Sequence, residues 1–326
     1  MSKALIIAEK PSVANDIARA LGGFTKHDEY FESDDFVLSS AVGHLLEIAA
    51  PEEYEVKRGK WSFANLPVIP PHFDLNPIAK SESRLKVLNK LIRRKDVDRL
   101  INACDAGREG ELIFRLIAQH AKAKQPVQRL WLQSMTPAAI RDGFAQLRSD
   151  SDMQPLADAA RCRSEADWLV GINGTRAMTA FNSKGGGFFL TTVGRVQTPT
   201  LSIVVEREEK IRRFVPRDYW EVKAEFVCAA GFYEGRWFDP NFKKDEFDPE
   251  KRDSRLWSLP AAETIVAACR GQMGNVTEES KPSTQLSPAL FDLTSLQREA
   301  NGRFGFSAKN TLGLAQALYE KHKVLT

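Results

Sequence analysis

The sequence predicts a multidomain α/β and α+β protein, in which an α/β domain precedes a helical part and a small β-rich part. Short apolar runs alternate with segments of helical spacing over roughly the first 150 residues, which is typical of a sheet built from βαβ units. Residues 155–214 have helical spacing, and residues 219–227 alternate like a strand. A chain of 326 residues can bury several cores. We therefore expect domains at 1–154, 155–216, 217–280 and 281–326.

The α/β domain is predicted from apolar runs of strand length and from the helix signals between them. Strands are expected at Ala4–Ala8, Phe36–Val42, Arg99–Cys104 and Arg129–Leu132. Helices are expected at Val13–Leu21, Ser83–Arg94, Leu112–Ala118 and Ala138–Leu147. Pro11 and Pro137 mark the starts of the first and last of these helices, because a first helical turn tolerates proline. The proline-bearing stretch Trp61–Pro77 is expected to run over the surface.

The second half of the chain is predicted to be mainly helical around one β-rich piece. Ala157–Phe181 carries apolar residues at helical spacing, and the glycines Gly185–Gly187 then break the pattern. A second helix is expected from Thr198 to Phe214, followed by a strand in the β-rich region. Phe291–Tyr319 is expected to return to helix.

Composition narrows the class of protein. No apolar run approaches the roughly 20 residues of a membrane-spanning helix, and the amino terminus lacks the form of a signal peptide. The four cysteines stand singly, which suits the reducing cytoplasm and argues against structural zinc. No P-loop is present, which argues against ATP-driven work. Net charge is only +3, but residues 161–217 carry ten Lys and Arg against five Asp and Glu, which allows a basic groove for nucleic acid or an ordinary ion-paired helix surface.

The most informative motif is Asp105-Ala106-Gly107-Arg108-Glu109-Gly110-Glu111, which joins a predicted strand to a predicted helix. Open α/β sheets place their chemistry at such turns. Carboxylates there are hard oxygen ligands suited to Mg²⁺, and Arg108 is able to hold a phosphate through two hydrogen bonds. The alternative for such a motif alone is a solvated acidic loop.

A second motif, Glu9-Lys10-Pro11-Ser12, ends the first predicted strand. Glu9 therefore also stands at the carboxyl end of a strand. In a parallel sheet the carboxyl ends of the strands share one edge, so we expect Glu9 and Asp105 to converge. This convergence would turn an acidic loop into a two-carboxylate site.

These two motifs resemble the Toprim metal site of the type IA DNA topoisomerases, in particular the bacterial topoisomerase III group. Two further blocks strengthen the resemblance: Thr192–Leu201, which reads TVGRVQTPTL, and Leu293–Ala308, which contains LTSLQREAN and FGFSA. The blocks occur in the family's order over nearly the whole chain. The resemblance implies a Rossmann-like Toprim domain, then a helical DNA-binding domain, a β-rich domain and a helical lead-in to the cleavage domain.

The resemblance also implies roles for single residues. Glu9 would act as acid or base and Lys10 would meet the scissile phosphate. Asp105 and Glu109 would hold Mg²⁺, with Glu111 as a third ligand and Glu9 as a further candidate. The DNA-binding residues would be Lys10, Arg108, Arg195 and Gln197. Alternatives stay open: Lys10 as a solvated side chain, Arg195 in an interdomain salt bridge, and His44 as a packed histidine rather than a nucleic-acid ligand.

The family's reaction is ATP-independent cleavage of single-stranded or negatively supercoiled DNA through a 5′-phosphotyrosine, strand passage and religation, by a monomer in the bacterial cytoplasm associated with the nucleoid. The chain departs from the pattern in two ways. Gly107 replaces the second acid of DxDxxE, which favours one metal ion over two. None of the five tyrosines opens the expected Y-x-R-T motif. We therefore expect a portion that binds DNA and Mg²⁺ without cleaving; another Toprim enzyme, such as a primase or nuclease, and a complete non-catalytic binding protein are the alternatives.

Overall fold

The computed structural model describes residues 2–54 and 61–325, which form two compact units. One unit comprises Met1–Leu201 with Leu290–Thr326, and the other comprises Ser202–Ala289. The strands are β1 (Lys3–Ala8), β2 (Thr25–Lys26), β3 (Phe31–Glu32), β4 (Phe36–Ser40), β5 (Leu46–Ile48), β6 (Leu75–Pro77), β7 (Val97–Ala103), β8 (Val127–Arg129), β9 (Arg148–Ser149), β10 (Lys223–Cys228) and β11 (Gly231–Arg236). The helices are α1 (Pro11–Leu21), α2 (Glu82–Ile92), α3 (Arg108–Ala121), α4 (Pro137–Ala145), α5 (Asp150–Asn182), α6 (Gln197–Arg212), α7 (Leu259–Cys269), α8 (Leu293–Phe304) and α9 (Ala308–Gln316).

The larger unit is built on a sheet of seven strands in the order β2-β3-β4-β1-β7-β8-β9. Strands β4, β1, β7 and β8 run parallel, and the short outer strands run antiparallel to their neighbours. In the register of the central strands, Ala8 lies opposite Ser40 on one side and Ala103 on the other. The carboxyl ends of three strands therefore meet at one edge of the sheet.

Strand β1 is apolar and buried from Ala4 to Ala8 because helices cover both faces of the sheet. Leu5 and Ile7 pack into the layer that contains residues of α2 and α3. Ala4, Ile6 and Ala8 point the other way, into the layer that contains residues of α1 and α4. The predicted α/β class of this region is confirmed, since consecutive residues of a buried strand supply two cores.

The fourth expected strand was misplaced. Instead of Arg129–Leu132, strand β8 ends at Arg129 and pairs with β7 over only three residues. Leu130 and Leu132 lie outside the strand and contribute to the layer beside α4. Their apolar character reflects packing on a helix rather than membership in the sheet.

Helix α5 is longer than expected, because it begins at Asp150 rather than at Ala157 and runs for 33 residues. Ser149 caps it by accepting a hydrogen bond from the Asp152 backbone N–H. Pro155 lies inside the helix. The expected domain limit between residues 154 and 155 therefore falls within one continuous helix.

The stretch 61–77 does not simply run over the surface. Strand β6 pairs with β5, and Val68 is almost fully buried. The side chain of Asn173 on α5 holds Val68 at both ends, accepting from its N–H at 2.6 Å and donating to its carbonyl at 2.9 Å. Trp168 on the same helix donates to the Ala49 carbonyl at 3.2 Å and packs edge-on against Phe73. This part of the chain is docked on α5.

The last helical region is broken where one helix was expected. Helix α8 ends at Gly305, whose φ of +67° is the left-handed conformation that glycine adopts readily at a helix end. Helix α9 starts after Ser307, which caps it, and a single wider turn follows at Ala317–Lys321. The FGFSA block is thus a corner between two helices.

The smaller unit contains the β10–β11 hairpin and helix α7. Phe226 and Tyr233 lie opposite each other in the hairpin, with their rings stacked at 5.1 Å. The predicted strand at 219–227 is only partly present, because β10 begins at Lys223. None of the helices in the described ranges combines the length and the apolar composition needed to cross a membrane.

Candidate metal and phosphate site

Glu9 and Asp105 meet at the sheet edge where β1 and β7 end. The backbone N–H of Asp105 donates a hydrogen bond to Glu9 Oε2 at 3.3 Å. The contact follows from the register, because Ala8 and Ala103 are paired and each carboxylate follows its strand closely. The structure therefore brings together the two residues that the sequence separates by 96 positions.

Lys10 supplies the positive charge at this edge. Its Nζ lies 3.3 Å from Asp105 Oδ2 and 3.9 Å from Glu320 Oε1. Partial burial raises the pKa of the Glu9 carboxyl, and the nearby Asp105 charge raises it further. For Lys10, partial burial opposes the charge, but Asp105 outweighs it, so the net effect raises the lysine pKa. The pKa values of Glu9 and Lys10 are thus both raised, which favours the protonated form of each side chain.

His44 and Glu109 form the outer rim of the site. His44 Nε2 lies 3.4 Å from Glu109 Oε2, and both side chains are exposed to solvent in large part. The loop that carries His44 is tied to the site, because the Gly43 N–H donates to the Glu9 backbone carbonyl at 3.3 Å. The interpretation of His44 as a packed histidine is therefore wrong; it is a half-exposed side chain beside the acidic cluster.

Glu111 does not join this cluster. Its carboxylate is only 1% exposed and accepts from Asn102 Nδ2 at 2.9 Å and from Arg115 Nε at 2.8 Å. In an α-helix two residues separated by two positions point about 200° apart, so Glu109 and Glu111 cannot face the same ion. The expected role of Glu111 as a metal ligand does not fit this placement, and helical geometry alone would have separated it from Glu109.

The remaining expected DNA contacts lie in two places. Arg108 is exposed in the first turn of α3 and forms no salt bridge with any described residue. Arg195 pairs with Asp167 of α5, with Nε 2.8 Å from Oδ1, and Gln197 accepts a hydrogen bond from Thr192 at 3.0 Å. Arg195 thus forms a salt bridge within the 155–216 region rather than between expected domains.

The donor set fits Mg²⁺ better than a metal that needs an all-protein cage. Within residues 2–54 and 61–325 no three acidic, histidine or cysteine side chains stand close enough to hold an ion by themselves. Mg²⁺ is commonly held by one or two carboxylates, with water and substrate phosphate completing its shell. Asp105 and Glu109 are exposed carboxylates on either side of the start of α3, and Glu9 accepts a hydrogen bond from the Asp105 N–H.

A cleft of about 410 Å³ opens beside the site. Lys10 and Asp105 line it together with Trp131, Tyr319 and Lys323. Lys323 Nζ forms an ion pair with Asp16 of α1 at 2.6 Å, which holds the residues after α9 against this edge. Burial raises the pKa of the Tyr319 hydroxyl, and the Asp105 charge adds to the effect. Tyr319 therefore stands beside the site, with a hydroxyl that is harder to ionise than usual.

The chain is similar to known proteins over its whole length. The family described as DNA topoisomerase matches residues 151–326, and the Toprim domain matches residues 4–135. The chain is 42% identical over 326 residues to DNA topoisomerase 3 of Shouchella clausii, and 39% identical over 328 residues to DNA topoisomerase 3 of Bacillus subtilis. These alignments cover 100% of this chain, but the chain spans only 42% of the Shouchella protein.

A solved structure agrees on the fold. Full-length topoisomerase I from Thermotoga maritima superposes with a TM-score of 0.59 and 23% identity, covering 97% of this chain and 46% of that one. At that identity the likeness concerns architecture only. The family matches, the identity to the topoisomerase 3 proteins and the Glu9–Asp105 edge agree, and the chain belongs to the type IA DNA topoisomerases, with a Toprim domain at its amino-terminal end.

Proposed function

We propose that the chain provides the metal- and phosphate-binding part of a topoisomerase III-like enzyme that acts on DNA without ATP. The observation that carries this proposal is the Glu9–Asp105 contact with Lys10 beside it, at an edge where three parallel strands end. The names of the similar proteins, each a DNA topoisomerase, support DNA as the substrate.

The side chains divide the chemistry among themselves. Lys10 extends a cationic amine from the site and is suited to hold a phosphate oxygen of single-stranded DNA. Glu9, with its raised pKa, is suited to give a proton to a leaving oxygen and to take it back on resealing. Asp105 and Glu109 are the residues that would hold Mg²⁺, which would stabilise charge at the phosphate when bound. Arg108 and His44 lie at the same rim and add phosphate contacts.

We further propose that the nucleophile is none of the tyrosines in this sequence. Tyr319 lines the cleft, but its raised pKa acts against attack by its oxygen. The chain would then bind single-stranded DNA and a divalent cation without forming a covalent adduct. Monomeric behaviour, nucleoid association and a β-rich domain over 217–280 belong to the same proposal.

Binding and chemistry are tested separately. Fluorescence anisotropy with a labelled single-stranded oligonucleotide should show binding that weakens with salt, with a log–log slope of about −0.7 for each phosphate contacted. Lys10→Gln should weaken binding, whereas Lys124→Gln, an exposed control beyond the carboxyl end of α3, should not. Denaturing electrophoresis after incubation with Mg²⁺ should show no covalent adduct. Binding that is insensitive to salt and to Lys10 would contradict the DNA proposal, and an adduct would contradict the proposal about the nucleophile.

A further inference from the structure

Arg129 is a buried arginine that holds the main chain beneath the candidate site. Its side chain is about 1% exposed, although it is fully charged at neutral pH. Nη1 donates to the carbonyl oxygens of Asn102 at 2.9 Å and Cys104 at 2.7 Å, and Nη2 donates to the carbonyl of Asp105 at 2.7 Å. The guanidinium therefore forms hydrogen bonds with the end of β7 and with the first residues of the turn that carries Asp105.

Two further side chains, those of Glu111 and Asn102, contact Arg129. Arg129 Nε lies 3.3 Å from Glu111 Oε2, and Asn102 donates to the same carboxylate oxygen at 2.9 Å. The Asn102 side-chain oxygen accepts from Arg129 Nη1 at 3.2 Å and from the Cys104 N–H at 3.0 Å. Asn102 and Arg129 thus both hydrogen bond to the backbone of Cys104, directly before Asp105, while Arg129 Nε contacts Glu111 as an ion pair without a hydrogen bond. These contacts restrict the orientation of the guanidinium.

Gly110 confines the Asp105 peptide from the other side. A Cβ at Gly110 would stand 2.8 Å from the Asp105 nitrogen and would also overlap its carbonyl oxygen, so α3 approaches this peptide as closely as a backbone can. The peptide therefore lies between the first turn of α3 and the Arg129 fork. Its N–H remains free to donate to Glu9 Oε2.

We propose that Arg129 is a positioning residue that fixes the Asp105 turn so that its amide and carboxylate face Glu9 and Lys10. It would act through the backbone carbonyls of Cys104 and Asp105 and would not touch substrate. The consequence for metal binding rests on the proposed function, whereas the positioning itself does not. Lysine could not replace it, because one ammonium group cannot reach carbonyls in three directions with the spacing of a planar fork.

Arg115 provides a matched control. It is a second largely buried arginine on the same carboxylate, with Nε 2.8 Å from Glu111 Oε1, and its other end pairs with Asp150 at 2.6 Å. It has no hydrogen bond to the Asp105 turn in the described part of the chain. Arg115→Gln should therefore disturb the ion pair without releasing the turn.

The experiment measures hydrogen–deuterium exchange of the 103–107 peptide by mass spectrometry in the full 326-residue chain, together with Mn²⁺ affinity by electron paramagnetic resonance. Arg129→Lys should speed exchange of this peptide at least tenfold and weaken Mn²⁺ binding at least fivefold. Arg115→Gln should leave both values within twofold of wild type. The double variant Glu111→Gln/Arg129→Gln removes both charges of the pair, so it addresses the case in which Arg129→Lys does not fold.

If Arg129 served only to neutralise Glu111, the double variant would restore wild-type exchange and Mn²⁺ affinity, and the proposal would be overturned. Equal exchange in Arg129→Lys and wild type would overturn it as well. A wild-type chain that binds no Mn²⁺ would contradict the proposed metal site, while the exchange data would still decide whether Arg129 positions the turn.

Discussion

The backbone amide of Asp105 donates to the Glu9 carboxylate at 3.3 Å, so the turn after β7 and the turn after β1 share a hydrogen bond as well as a sheet edge. This contact orients the Glu9 side chain by a main-chain group, whose position the β1–β7 register determines. The carboxylates are therefore close before any cation arrives, and their repulsion is balanced in part by Lys10.

Gly107→Asp should strengthen divalent-cation binding by about threefold to tenfold, since ligand charge count tunes such affinities. Gly107 is the residue before α3, has extended backbone and has no described atom near the place of a Cβ, so aspartate fits there and also suits a helix cap. Mn²⁺ titration followed by electron paramagnetic resonance measures the change. Gly110→Ala is the control, because its Cβ must displace the Asp105 peptide, and it should weaken binding. Unchanged affinity in Gly107→Asp would mean that the ion is held elsewhere.

Substitution of Glu111 should affect stability, whereas substitution of Glu109 should affect cation binding. Glu111→Gln should lower the free energy of unfolding by about 3 kcal/mol, because it leaves the buried Arg129 without its counter-charge. Glu109→Gln, at an exposed position, should change it by less than about 0.5 kcal/mol. Urea denaturation at pH 7 compares them, with the cation titration run on the same samples. Glu109→Gln should weaken cation binding, because it removes a proposed ligand. A loss of stability of equal size in both variants would contradict the placement of Glu111 as the buried residue and Glu109 as the exposed one.

The ion pairs of Arg94 with Glu32 and Asp96 should make the free energy of unfolding depend on pH. Hydrogen bonds from Arg94 lower the pKa of Glu32 to about 2 and that of Asp96 to about 2. A carboxyl whose pKa is depressed in the fold contributes stability above its unfolded pKa and loses it as pH falls toward its folded pKa. Arg94→Met should therefore cost about 1 kcal/mol at pH 7, and the difference should shrink between pH 4.5 and pH 2.

Urea denaturation over that pH range measures this effect. Arg93→Met is the control, since Arg93 is exposed and has no salt bridge among the described residues. A stability difference for Arg94→Met that stays constant from pH 7 down to pH 2 would show that the arginine acts by packing rather than by charge.

Asn173→Ala should release the 61–77 stretch from α5. The substitution removes both hydrogen bonds to Val68 and leaves buried main-chain groups without partners, which costs about 1–3 kcal/mol. Limited proteolysis followed by mass spectrometry should find new cleavage within this stretch, at least several-fold faster than in wild type. Asn182→Ala is the control, because the side chain of this exposed asparagine on the same helix donates a hydrogen bond to Thr191. Equal cleavage in the two variants would argue against the clamp.

Sequence patterns predicted the parts of the fold that local chemistry determines. Strand β1 was correct because it is apolar on both faces, and α1 began where Pro11 indicates. The strand at Arg129–Leu132 was wrong because leucines that pack against α4 have the same pattern as leucines in a sheet. The start of α5 was missed although Ser149 and Asp152 form a capping box, since proline, here Pro155, is disfavoured inside a helix.

For the candidate site as well, the sequence predicted what strand ends determine and missed contacts between distant elements. The convergence of Glu9 and Asp105 follows from strand ends in a parallel sheet. Glu111 could have been separated from Glu109 by helical geometry, and its Arg115 partner lies one turn on in the same helix. Its contact with Arg129 of β8 and the Asp150 partner of Arg115 on α5 follow from no local pattern. Arg129 gave no sequence signal at all, because its partners are backbone carbonyls supplied by another strand.

The length of helix α5 links distant parts of the larger unit. With 33 residues it extends for roughly 50 Å, and it touches the sheet near its start while carrying Asn173 and Asp167 farther along. A rod of that length acts as a lever. A small tilt at its first turns, where Asp150 meets Arg115, would move its distal end by several times as much, so the contacts at its start determine where Asn173 and Asp167 lie.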